Sequence, residues 1–80
     1  MPRLMGTVTK GAEPASGAYV QLRNLRGDFQ AEVRTGDDGR FTLHPVPGLW
    51  RVVSFAPQTA THEHDVEIGS DDVVLDLTLD

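Results

Sequence analysis

The chain has 80 residues, with seven basic and twelve acidic side chains for a net charge of −5, and no cysteine. That length suits one small domain, residues 1–80, which would bury only roughly 60–65% of its unfolded surface. The acidic balance argues against nucleic-acid and anionic-membrane partners, which need a basic face; the lack of cysteine excludes disulfides, thiolate metal sites and a cysteine nucleophile.

The N-terminal stretch has no long apolar core of the kind a signal peptide carries, and no segment reaches transmembrane length, so a cytoplasmic location is expected. Residues Leu4 to Lys10 suit a first strand, with Gly6 and Val8 on one side and Met5, Thr7 and Thr9 on the other. Gly11 to Gly17 reads as a loop from its Gly, Pro and Ser content. Ala18, Val20 and Leu22 alternate with Tyr19, Gln21 and Arg23 in a second strand, and Asn24 to Asp28 turns the chain. In the third strand Phe29, Ala31, Val33 and Thr35 form the expected buried side. Asp37-Asp38-Gly39 supplies a hairpin turn, since Gly accepts the positive φ such turns need.

Phe41 and Leu43 return to the buried side in a fourth strand, and Pro47-Gly48 makes a type II turn. The fifth strand runs from Leu49 to Phe55, with Trp50 and Val52 inward and Trp50 expected to plug the core. Thr61 to Ile68 is a sixth strand, and Val73 to Asp80 a seventh with the cleanest alternation in the chain. Seven short strands with turn signals every 8–12 residues are the pattern of an antiparallel β-sandwich, transthyretin-like or immunoglobulin-like, with no helical segment.

Several residues carry candidate chemistry. His62 and His64 share one side of a strand and could hold a metal ion, with His44 as a third ligand and Glu63 or Asp65 in reserve. The plainer reading is a pair of partly covered histidines near a strand's start. Arg26-Gly27-Asp28 spells an integrin-binding tripeptide but also falls where a hairpin turn is needed. The carboxylates of Asp37-Asp38 and Asp71-Asp72 could bind calcium if their loops met, although such pairs are more commonly solvated turn residues. Lys10 and Asn24, each the only one of its type, could form an isopeptide bond, but no buried acid is evident beside them. No serine has a histidine placed beside it by local spacing, so no nucleophile and base are legible. The outer side of the fifth strand carries Arg51, Val53 and Phe55; Val53 and Phe55 form an apolar patch to which Tyr19 adds, and such patches mark contact surfaces. A bend near Ser54 would instead bury Val53 and Phe55.

The runs Gly6-x-Val8, Pro14-x-x-Gly17-Ala18-x-Val20-x-Leu22, Thr35-x-x-Asp38-Gly39-x-Phe41-x-Leu43 and Pro47-Gly48-x-Trp50-x-Val52 together resemble the carboxypeptidase regulatory-like domains. The resemblance spans residues 5–56 and implies a seven-stranded, transthyretin-like (prealbumin-like) sandwich. Within that group the chain is most similar to a small actinobacterial family of unknown function, some members of which carry a sulfurtransferase name through association with rhodaneses. The matched residues are turn formers and core fillers, so they imply an architecture and no catalytic site. A rhodanese-type reaction needs a cysteine persulfide, which this chain cannot form. The related hydroxyisourate hydrolases end in a Tyr-Arg-Gly-Ser motif, whereas this chain ends in Leu77-Thr78-Leu79-Asp80.

The expectation is therefore a non-catalytic module without a cofactor that binds a protein partner or self-associates through a sheet face or edge. Tyr19, Arg51, Val53 and Phe55 are its expected contacts. A rhodanese-type enzyme is the partner the resemblance implies. The alternative is a ligand-binding module, taking a metal through His62 and His64 or a carbohydrate on an exposed aromatic ring.

Overall fold

Apolar side chains at every second position commit the chain to strands with one buried side. The computed structural model describes residues 2–79, and among them are nine strands and no helix. The strands are β1 (Leu4–Lys10), β2 (Glu13–Pro14), β3 (Tyr19–Arg23), β4 (Phe29–Arg34), β5 (Arg40–Leu43), β6 (Gly48–Phe55), β7 (His62–Ile68), β8 (Val73–Val74) and β9 (Leu77–Leu79). No helix among these residues is thus long and apolar enough to cross a membrane.

One sheet is built around β1, which pairs antiparallel with β2 and β5 and parallel with β8 and β9. The other runs β4-β3-β6-β7 and is antiparallel throughout. Leu4, Val8, Phe41, Leu43, Leu77 and Leu79 of the first sheet meet Val20, Leu22, Val52 and Ile68 of the second in one core. The architecture is the expected all-β sandwich. Each such side chain contributes roughly 1.5–3 kcal/mol on full burial.

Several details differ from the sequence reading, the first being that Glu13 and Pro14, expected within a loop, pair with β1 as β2. The run from Val73 is two short strands, because the chain leaves the ladder at Leu75 and Asp76; Asp80, its expected end, lies outside the described residues. At that break the Leu75 carbonyl fills the space over Gly6 that a Cβ would need. The Asp76 carboxylate accepts the Thr7 N–H at 3.1 Å, standing in for a backbone carbonyl. Both short strands run parallel to β1, a direction that side-chain alternation does not encode. Phe29 faces outward and is 53% exposed, because a bulge shifts the β3–β4 register between Leu22 and Arg23 and makes Phe29 the partner of Arg23. Trp50 is half-buried at the rim of the core and does not plug its centre; its Nε1 donates to the Val46 carbonyl at 2.8 Å.

The turns are held locally. The turn before β5 is not the expected hairpin, since β4 and β5 belong to different sheets. Gly39 takes φ +78° in this connection between the sheets, and the Asp38 carboxylate accepts the Arg40 N–H. The Thr35 hydroxyl accepts the Ala18 N–H and donates to the Ala15 carbonyl, closing the loop before β3 against the end of β4. Arg3 fastens the start of the chain to the loop before β8: its backbone N–H and its guanidinium donate to the Asp72 carboxylate at 2.8 and 3.0 Å. Those contacts, the backbone N–H first, hold the Asp72 carboxyl below the ordinary carboxylate range. Within the core, Ser54 is fully buried and its hydroxyl has no hydrogen-bond partner among the described residues.

Three outcomes follow from these contacts. Gly6→Ala forces the Leu75 backbone aside and destabilises the protein by about 1–3 kcal/mol, a fall of roughly 4–8 °C in Tm per kcal/mol; an unchanged melting curve would contradict the close approach. Ser54→Ala removes a buried hydroxyl with no hydrogen-bond partner among the described residues. Stability therefore holds or rises by up to about 1 kcal/mol, read as an unchanged or higher Tm, and a clear loss of stability would show that the hydroxyl has a partner. For Asp72, a carboxyl lowered in the folded state stabilises it above the unfolded pKa of about 3.9, and that contribution disappears as pH falls through the folded value. Thermal melts from neutral pH into the acid range should therefore drop less steeply for Asp72→Asn than for the wild type, and parallel curves would remove Asp72 from the account.

Candidate functional site

Strands β3 and β6 pair over five residues, from Tyr19 opposite Phe55 to Arg23 opposite Arg51. Because side chains alternate, Tyr19, Gln21 and Arg23 share the outward side with Arg51, Val53 and Phe55. The four expected contact residues thus stand on one face, organised in rungs that cross the sheet. Arg34, Tyr19 and Phe55 form one rung, Glu32, Gln21, Val53 and Glu63 the next, and Phe29, Arg23, Arg51 and Asp65 the third.

Each rung has its own chemistry. In the first, the Tyr19 and Phe55 rings stack with centroids 5.2 Å apart, and the Arg34 guanidinium lies 5.0 Å from the centre of the Tyr19 ring. In the second, Gln21 Nε2 donates to the Glu32 carboxylate at 2.7 Å, which turns its amide oxygen toward Arg23. In the third, Arg51 Nε donates to the Asp65 carboxylate at 2.9 Å, with the Glu63 carboxylate 3.7 Å away. That hydrogen bond is the main cause holding Asp65 below the ordinary carboxylate range and Arg51 above its own.

The expected apolar patch is altered in one respect. β6 pairs without a bulge from Gly48 to Ser54, so Val53 does point outward, yet it is only 7% exposed. Its Cα partners Gln21 and Glu63, and Arg51 two positions along, are long side chains that cover a valine from the outside. Tyr19 and Phe55 stay half-exposed. The apolar surface that is open lies toward the opposite end of the face, where Phe29 and Leu49 are each more than half exposed.

Between Arg23, Arg51, Val53, Phe55 and Glu63 lies a shallow depression of about 370 Å³. Sequence reading missed Gln21 and Arg23 in this site. Alternation places them on the Tyr19 side of their strand, but only the β3–β6 register brings them against Arg51 and Val53.

His62 and His64 lie on the inward side of β7, as Cα partners of Ser54 and Val52. His62 is half-buried and His64 exposed. His44 stands beyond β5, beside Trp50 and Pro45 in a separate depression. Among the described residues no three His, Asp or Glu side chains gather in a way that could hold a metal ion. The Ser54–His62 pairing is a serine and histidine that local spacing did not reveal, and it faces the core.

The loop motifs are spent on turns. Asn24 Oδ1 accepts the N–H groups of Arg26 and Asp28, so the Arg26-Gly27-Asp28 tripeptide is a hairpin turn organised by Asn24. Asn24 is engaged there, and Lys10 is exposed at the end of β1. Asp37 accepts a hydrogen bond from Ser16, whereas Asp72 is paired with Arg3.

The chain is similar in structure to a DUF3823 family protein from Parabacteroides merdae, with a TM-score of 0.74 and 17% identity over 98% of this chain. It spans only 45% of that protein's length. It is also similar to the 5-hydroxyisourate hydrolase of Klebsiella pneumoniae, with a TM-score of 0.71 and 19% identity, covering 95% of this chain and 89% of the hydrolase. At such identities the likeness is one of fold, and it makes the sandwich transthyretin-like. No curated protein matches the sequence. The family described as "Protein of unknown function (DUF1416)" matches residues 3–77, nearly the whole chain, and the chain belongs to that family.

Proposed function

We propose that this chain is a non-catalytic interaction module that binds a protein partner through the outward face of the β4-β3-β6-β7 sheet. The observation that carries the reading is the arrangement of Tyr19, Arg51, Val53 and Phe55 on one face, flanked by exposed Phe29 and Leu49. Aromatic and arginine side chains are the types enriched at the energetic centres of interfaces. The stacked Tyr19–Phe55 pair presents a stiff surface that loses little conformational freedom on binding. The hydrolase neighbour is an enzyme, but likeness of fold at 19% identity brings no active site with it.

Two occupants of the face are proposed. One is a rhodanese-type enzyme, for which a chain without cysteine would serve as an accessory subunit rather than the sulfur carrier. The other is a second copy of this chain. Association by the open edge of β7 is the weaker form of self-assembly, since Glu63, Asp65 and Glu67 line that strand and charged edges resist pairing.

Phe55→Asp tests the reading. Light scattering at two concentrations should give a wild-type dimer and a folded, monomeric variant if the face binds its own copy. If the wild type is monomeric, calorimetry against a rhodanese-type enzyme should show binding that the variant weakens by about tenfold or more. A folded Phe55→Asp variant with the assembly and partner affinity of the wild type would end the proposal.

A further inference from the structure

We infer that the depression between β3 and β6 is a binding site for a small organic acid, a monocarboxylate carrying an apolar ring or chain. This goes beyond the partner-binding reading and holds whether or not a protein docks on the same face.

Charge comes first. Arg23 and Arg51 are direct Cα partners, and like charges placed opposite each other in a sheet destabilise it. Arg51 is compensated by Asp65 and Glu63 on its far side. Arg23 is half-buried and, among the described residues, has no carboxylate within ion-pair distance. A guanidinium partly removed from water without a counter-charge is a standing invitation to an anion.

Arg23 is also fixed in place. Its Nε donates to Gln21 Oε1 at 3.0 Å, its Nη1 donates to the Gly27 carbonyl at 2.8 Å, and its plane lies 5.6 Å from the centre of the Phe29 ring. Each acceptor is neutral, so the charge is oriented without being cancelled. Its Nη2, and both terminal nitrogens of Arg51, donate no hydrogen bond within the described residues. Planar guanidinium edges of this kind match a carboxylate.

Shape and net charge narrow the ligand. The floor is the covered Val53 and one wall is Phe55, which suits an apolar body beside the carboxylate. The charged residues lining the depression are Arg23, Arg51 and Glu63, a net single positive charge that matches a monocarboxylate and falls short of a phosphate dianion. The volume of about 370 Å³ lies at the lower end of the range for small-molecule sites.

The probe is 3-phenylpropanoate, titrated into the ¹⁵N-labelled chain and followed by amide chemical shifts. The acid should give saturable shifts at Gln21, Arg23, Arg51 and Val53 at millimolar concentration, and the neutral 3-phenylpropanamide should not. Arg23→Gln should weaken binding by about tenfold or more, as should Arg51→Gln, while Arg40→Gln, on β5 of the other sheet, should bind as the wild type does. Should either variant fail to fold, the acid-against-amide comparison on the wild type still decides the matter. Equal shifts from acid and amide, no saturable shift, or a folded Arg23→Gln chain of unchanged affinity would overturn the assignment. So would binding confined to a peptide with a free C-terminal phenylalanine, which would assign the site to a partner's chain end. None of these outcomes depends on Phe55→Asp in the association assay.

Discussion

Every other strand of the five-stranded sheet hydrogen-bonds to β1, so the whole sheet depends on what can approach that one strand. The tightest approach is at Gly6, where the Leu75 carbonyl occupies the position of a missing side chain. Only glycine leaves that space, and the break between β8 and β9 lies directly over it. Asp76 then repairs the ladder with a carboxylate where a backbone carbonyl would have stood. From this crossing, Val73 leads in from one side and Leu77 and Leu79 lead out on the other, so both halves of the last segment reach the core. Arg3 and Asp72 hold the same seam at its outer end.

The four-stranded sheet turns a different constraint toward function. Its inward side is spent on the core, leaving a face on which charge and aromatic surface must be balanced rung by rung. Arg34 stacks on Tyr19 and Arg51 is paired with acids on β7, whereas Arg23, among the described residues, is held by neutral acceptors and the Phe29 ring. That asymmetry sets the middle of the face apart from its surroundings. The proposed partner surface and the proposed carboxylate site share Arg51, Val53 and Phe55, while the Tyr19 ring and the exposed Phe29 and Leu49 lie outside the lining of the depression.

Much of the fold was legible because alternation is a direct consequence of strand geometry. Val20 and Leu22 against Gln21 and Arg23, or Phe41 and Leu43 against Arg40 and Thr42, are sorted to inside and outside as the period of two requires. The same logic assigned Arg51, Val53 and Phe55 to the outer side of β6. Phe29 escaped it, because a bulge inserts one extra residue and reverses the side on which everything before it lies. Val53 escaped in a subtler way: its direction was right, but exposure depends on the length of side chains on neighbouring strands.

The sequence by itself determined the all-β class, nearly all of the strands and the positions of the turns, since these rest on local φ/ψ preferences and on a periodicity that each segment carries alone. Only the tertiary structure decided strand direction and register, and with them the parallel pairing of β8 and β9 with β1, the meeting of Ser54 with His62, and the opposition of Arg23 and Arg51. The physical reason is that pairing partners are far apart along the chain. Two strands with the same alternation can be laid together in either direction and shifted by two residues without moving a single side chain to the wrong face, so the choice is made by the packing of the assembled sandwich.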